Sequence, residues 1–234
     1  MGKLGKWVLG AWMVLAIILS FTYAPEATRP NFGHLDPVTG QPTMEPWPAF
    51  RIFFFHVPAA WIAVLAFAVA MIASIMVLRK PRERLDDIAL ASSELGFLFS
   101  ALALVSGMIW ARLEWGAFWN WDPRQNTILI LLLIYAGYFT LRSAVPDPLK
   151  RTRLAAVYSI LAFVTVPFLV FLVPRIMDTL HPSPIIKSGS RSGSMNPRML
   201  QVFFMFLVGY TGLYVWILAL KVKSLRIARW VRAQ

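Results

Sequence analysis

The chain contains no cysteine. That excludes disulfides, thiolate metal sites, iron–sulfur ligation and a Cys-x-x-Cys-His motif for covalent haem attachment. Charge is scarce as well. Only 15% of the 234 residues are Asp, Glu, Lys or Arg, against 58% hydrophobic, and the mean hydropathy is +0.63. A soluble domain of this size needs more polar residues to cover its surface, so most of the chain belongs in lipid. Acid is the scarcer charge, 11 residues against 23 basic, for a net charge of +12. Nucleic acid is not needed to explain that balance, because membrane proteins collect basic residues in cytoplasmic loops to fix their orientation. There is no nucleotide-binding motif, and an enzymatic role is not expected.

What is present is long apolar runs. Six of them, at about 7–24, 50–78, 88–111, 126–145, 154–173 and 199–220, are long enough to cross a bilayer core of ~30 Å as helices. The sequence therefore predicts an all-α integral membrane protein, one six-helix domain over residues 1–234. The first run resembles a signal peptide, with Lys3 and Lys6 before it and a passable cleavage site at Thr22-Tyr-Ala24. Pro25 directly afterwards argues against cleavage, so this run is expected to stay as a span. Pro58, Pro167 and Pro174 are tolerable near span ends or where neighbouring helices satisfy the freed carbonyls.

Six crossings put both termini on one side. Fifteen of the 23 basic residues fall with them, including Arg79, Lys80, Arg82 and Arg84 in one tight turn, and eight fall opposite. The positive-inside tendency makes the termini cytoplasmic and places three outer loops at about 25–49, 112–125 and 174–198. The first outer loop, rich in Pro, Gly and Thr, is expected on the surface. The third carries a Ser/Gly-rich tract at 187–194.

The second outer loop is unusual. Four of the ten tryptophans fall within residues 110–121, and Trp115, Trp119 and Trp121 sit beside Gly116, Asp122 and Pro123. An interfacial aromatic belt explains single tryptophans at span ends, such as Trp7, Trp47, Trp216 and Trp230. It does not explain this cluster, which suits stacking on a planar apolar ligand. In a helix, Trp115 and Trp119 would share a face. Arg112 and Arg124 flank the cluster and are shaped to pair with carboxylates.

Of three histidines, His56 stands at the outer end of the second run and His181 just beyond the fifth, while His34 reads as exposed. A hydrogen-bonded interfacial imidazole is the plain reading of His56, and a solvated loop residue that of His181. The topology changes the weighing, because it brings both to the surface that carries the tryptophans. Two imidazoles and a flat aromatic wall are what a bis-histidine haem site needs, each nitrogen ~2 Å from iron. Zinc or copper also take imidazole, but leave the tryptophans unexplained. Glu94, inside the third run, is expected to snorkel toward Arg82 or Arg84, and Asp122 to serve as a turn or helix cap. A b-type electron-transfer cytochrome would carry more histidines, paired within spans. A small-solute transporter would carry polar residues near the midplane.

Trp115-Gly-Ala-Phe-Trp119-Asn-Trp121-Asp122 resembles the tryptophan-rich WWD signature of haem-handling membrane proteins. Arg51-Ile-Phe-Phe-Phe-His56-Val-Pro-Ala-Ala-Trp61 and Thr179-Leu-His181 resemble the haem exporter protein C family, also called cytochrome c maturation protein C. The resemblance implies a multi-pass protein of the bacterial inner membrane. It implies haem b held non-covalently at the outer surface, with His56 and His181 as axial ligands. Trp115, Trp119 and Trp121 would form the platform, and Arg51, Arg112 and Arg124 are candidates for the propionates. The implied partners are the periplasmic haem chaperone, the A and B components of an ABC-type transporter, and a small one-span D component. Two departures stand out. The family usually continues with Asp-Ala-Arg-Leu-Thr where this chain has Asp122-Pro123-Arg124-Gln125-Asn126, and Ile176-Met177 replace an aromatic pair before the second histidine.

Overall fold

The computed structural model describes residues 2–181 and 196–232. Six helices in it are long and apolar enough to cross a membrane. These are α1 (Lys3–Thr22), α2 (Phe53–Arg79, led in by a 3-10 turn at Pro48–Ile52), α3 (Glu83–Trp115) and α4 (Pro123–Ala144), then α5 (Pro148–Pro167) and α7 (Pro197–Arg232). The fifth span is composite. Pro167 closes α5, and the chain goes on as a π-helical stretch, Phe168–Leu172, into the short α6 (Val173–Ile176) containing Pro174. Each proline lacks an N–H and so breaks the regular hydrogen-bond ladder, which the wider π turn accommodates. The Ser/Gly-rich tract at 187–194 lies outside the described residues.

α2 is the central helix and packs on α3, α5 and α7. Its buried face carries Ala59, Ala63, Ala66, Ala70 and Ala73, at the three- and four-residue spacing that aligns side chains along a helix. Helices in lipid gain little from apolar burial, so small residues that allow close backbone approach take over that role. Gly96 of α3 is a case in point. The Phe67 ring lies where its Cβ would be, and that ring stacks on Tyr135 of α4 with centroids 3.6 Å apart. Ser92 Oγ donates to the Ala66 carbonyl at 2.9 Å and lies 2.5 Å from the Tyr214 hydroxyl, which joins α2, α3 and α7.

α1 runs antiparallel to α7, with Tyr23 bonded to Gln201, Trp12 Nε1 donating to the Met205 carbonyl, and Lys6 over Trp216. Both ends of the described chain therefore lie at one end of the bundle. That end is held by ion pairs: Arg142 to Asp86 in a 2.8 Å fork, Arg229 to Asp87 and, at 3.4 Å, to Glu83, and Lys221 to Glu94. The expected reach of Glu94 toward Arg82 or Arg84 is thus corrected to Lys221. The reason is distance along the helix, since twelve residues of rise amount to about 18 Å.

One element departs from an all-helical reading. Residues Thr28–Leu35 (β1) and Pro42–Pro46 (β2) pair as an antiparallel hairpin, with Arg29 opposite Glu45 and Asn31 opposite Thr43. Its turn is set by Asp36, whose Oδ1 accepts from the amides of Val38 and Thr39, and by Gly40 at φ 63°. Pro30, Pro42 and Pro46 have no N–H to offer a ladder and are at home only on edges, which a two-stranded sheet supplies. His34 sits in β1 and is exposed, as the sequence leads one to expect.

Candidate functional site

At the end opposite the ion pairs, α2 begins, α3 ends and α4 starts. His56 is in the first turn of α2, one turn behind the 3-10 lead-in. It packs against Gly107 of α3, where a Cβ would come 3.0 Å from its Cε1. Its Nδ1 lies 3.1 Å from Ser106 Oγ. That hydroxyl has one hydrogen, donated to the Leu102 carbonyl at 2.7 Å, so its oxygen accepts and His56 Nδ1 carries the proton. Among the described residues the partners of this ring are Ser106 at Nδ1 and the Ala103 backbone, and Nε2 carries the lone pair.

His181 reaches the same place by another route. Asp122 is the N-cap of α4, its Oδ1 accepting from the Arg124 amide at 2.9 Å. Its Oδ2 accepts from Thr179 Oγ1 at 2.8 Å and from the Leu180 amide at 2.7 Å, which pins the segment after α6 to the start of α4. His181 Nδ1 then lies 3.1 Å from Asp122 Oδ1. A carboxylate only accepts, so Nδ1 of His181 also carries the proton, and its Nε2 has no hydrogen-bond partner among the described residues. Burial, which acts first, and the charges of Arg124 and His56 push the His181 imidazole down to about 4 against the pull of Asp122. It is neutral at pH 7. Burial would raise the Asp122 carboxyl, but the hydrogen bonds from Thr179 and the two amides outweigh it and hold the group below its usual value.

Both imidazoles line one cavity of about 120 Å³, with Gly107, Arg124, Gln125 and Val170 among the other walls. Two imidazoles, each hydrogen-bonded through Nδ1, could together hold a transition-metal centre.

The tryptophans divide. α3 ends at Trp115, and Gly116 at φ 79° caps it in the left-handed conformation, so Trp115 and Trp119 do not share a helix. The Trp115 ring meets His181 at 5.1 Å, as does Trp110 at 5.5 Å, and the two indoles meet each other edge-on at 4.9 Å. Trp119 and Trp121 pair with each other instead, centroids 6.0 Å apart, and Trp121 is 76% exposed. The arginines divide too. Arg124 lines the cavity, and its buried Nε has no partner among the described residues. Arg51 donates to the Ser20 carbonyl and covers Phe21. Arg112 donates to the Gly116 carbonyl and covers Phe118.

Ser106, Trp110 and Asp122 are the site residues that sequence reasoning left out. The capping role expected of Asp122 is present, and the same carboxylate also holds His181. A signal for it exists in hindsight: Thr179 and His181 are two residues apart, a spacing that lets one carboxylate bind both.

The fold and this site define a multi-pass helical membrane protein with a two-imidazole cavity at one end of its bundle. A family model described as Heme exporter protein C matches residues 41–234, and the chain belongs to that family. It is 34% identical to heme exporter protein C of Bradyrhizobium diazoefficiens over 166 residues, 70% of this chain and 62% of that protein. With the Haemophilus influenzae protein of the same name it shares 30% identity over 72% of this chain and 68% of the relative. For the Escherichia coli K12 protein the figures are 28%, 68% and 65%. The chain thus spans less than two thirds of the Bradyrhizobium relative's length.

Proposed function

We propose that this protein binds haem as cargo between His56 and His181 and hands it on during c-type cytochrome biogenesis. The single observation that carries the reading is the pair of imidazoles, from elements 125 residues apart, that line one cavity with both Nδ1 protons engaged. The relatives are named as haem exporters. Orientation follows the basic residues: the ion-paired end is cytoplasmic and the histidine end faces the periplasm. The membrane is then the bacterial inner membrane, and the acceptor is the periplasmic haem chaperone. The A and B components of the ABC-type transporter and the one-span D component work beside it.

The residues present suit haem held non-covalently. Ser106 and Asp122 fix the tautomer and direction of the two ligands, as outer partners of metal-bound histidines do. Trp110 and Trp115 wall the His181 side, while Trp119 and Trp121 offer indole surface beyond the cavity. Arg124 has an unpaired N–H for a carboxylate, which puts it ahead of Arg51 and Arg112 as a propionate partner. A cavity of about 120 Å³ is well under the ~300 Å³ at which pockets begin to enclose organic ligands. Cargo gripped at its metal and left open to the outside is suited to transfer.

The test is the absorption spectrum of the purified protein against His56→Ala and His181→Ala. Haem content is expected to fall and the Soret band to move in both. Unchanged haem content and Soret position in both variants would sink the ligand assignment.

A further inference from the structure

α1 precedes the residues matched to the family, and it is the most loosely packed span: only Ala16 and Ser20 of its residues are buried. Its second half is tied down through Trp12, Tyr23 and the bond from Arg51 to Ser20. α1 also meets α7 over Gly209 and Gly212, where Met13 and Leu9 fill the space a Cβ would need, and at Lys6 over Trp216. The two helices consequently leave a groove of about 240 Å³ lined by Gly5, Val8, Leu9, Trp12 and Val208. Every lining residue is apolar or glycine. One turn of a partner helix, about 10 Å across and 5.4 Å long, takes on the order of 400 Å³. The groove holds less than one helical turn and can take part of an extended hydrocarbon chain.

The open end of the groove is basic. Lys6 follows Gly5 directly, and its Nζ sits 5.6 Å from the centroid of Trp216, one turn beyond Gly212. Lys3 is one turn before Lys6, and Lys223 lies two heptads beyond Gly209 on the same face of α7. Neither helix contains an acidic residue. Of the acids at this end, Glu83, Asp86, Asp87 and Glu94 are occupied by Arg229, Arg142 and Lys221, and Asp147 caps α5. Lys3, Lys6 and Lys223 therefore present uncompensated charge at the mouth of an apolar channel.

We propose that the α1–α7 groove is a binding site for an anionic phospholipid. One acyl chain lies along Val8, Trp12 and Val208, and the headgroup phosphate rests against Lys6 with Lys3 and Lys223 beside it. Basic residues next to a groove between spans are the expected signature of such a site. The site does not rest on the haem reading.

The experiment is native mass spectrometry of the full chain, purified with equal amounts of phosphatidylglycerol and phosphatidylcholine. The wild type is expected to retain phosphatidylglycerol at least fivefold better, the worth of about one phosphate–lysine contact near the surface. Lys6→Gln should abolish that preference and Lys6→Arg should keep it. Val208→Trp, at a position 58% exposed and free of tight packing, should displace both lipids. Haem content should be unchanged in all three variants. Equal retention of the two lipids in the wild type would overturn the proposal. So would a photocrosslink from position 208 that captures a partner's helix in place of lipid.

Discussion

The two ends of the bundle use polar residues in opposite ways. At the basic end the acids of α3 meet cations: Asp86 with Arg142, Asp87 with Arg229, Glu94 with Lys221. These groups satisfy one another and tie α3 to α4 and α7. At the histidine end, polar groups satisfy one another on one side only. Ser106 and Asp122 occupy Nδ1 of each imidazole, and both histidines line a cavity with Arg124, whose buried Nε has no partner among the described residues. α3 runs through both ends and so carries both arrangements, Asp86 near its start and Ser106 near its finish. A closed set of polar partners holds a fold together, and an open set binds something.

The sharpest break of that contrast is Arg142→Ala. It leaves the Asp86 carboxylate, 16% exposed, without its fork, and breaking such a buried pair costs about 3 kcal/mol. Thermal unfolding should drop accordingly, while haem retained by the protein that stays folded keeps its Soret position. Replacing both members, Arg142→Met with Asp86→Leu, should restore most of the loss.

Asp122→Asn is the counterpart at the open end. The amide keeps one acceptor oxygen and loses the other together with the charge, so either His181 or the Thr179–Leu180 donors lose their partner. Haem affinity should fall ~10–100-fold and stability by about 1–3 kcal/mol. Ser106→Ala should act on His56 in the same direction. Equilibrium haem titration checks both, and loss of stability without loss of affinity would place Asp122 with the structural groups.

A pH series separates the ends more gently. His181 is held at about 4 in the folded protein, against an ordinary 6.5. Between those values the unfolded chain binds the proton first, so stability declines as the pH falls through that window. Thermal unfolding at pH 7, 5.5 and 4.5 should show this slope, reduced in His181→Ala. The smallest effect is expected from Glu94→Gln, because that pair is 33–40% exposed and worth less than ~1 kcal/mol. A larger change would mean that Glu94 belongs with the open groups.

How far the sequence carried these results varies with the physics. Hydropathy and length predict the six helices because lipid leaves the chain few alternatives. The hairpin is invisible in that reading, since its four prolines and two glycines have the composition of a loop, and only the two-edged pairing tolerates the three prolines within the strands. The sequence brings His56 and His181 to one surface from their place at the helix ends, and in the structure both line one cavity. The separation of Trp110 and Trp115 from Trp119 and Trp121 depends on one backbone event, the left-handed cap at Gly116, which periodicity extends straight through. Asp122 shows the limit of reading roles singly. Cap and ligand support look like rival assignments along the chain, yet in space one carboxylate has oxygens enough for both.

Trp121 holds φ at 56°, a conformation open to glycine and strained for any residue with a Cβ by about 1–3 kcal/mol. Random substitution pressed only by stability would drift toward glycine here, since glycine relaxes the backbone and the ring touches little besides Trp119. The tryptophan is therefore a standing bias against the thermodynamic optimum. A library selected first for thermal tolerance and then for haem delivery should part company with itself at this position before any other in the loop.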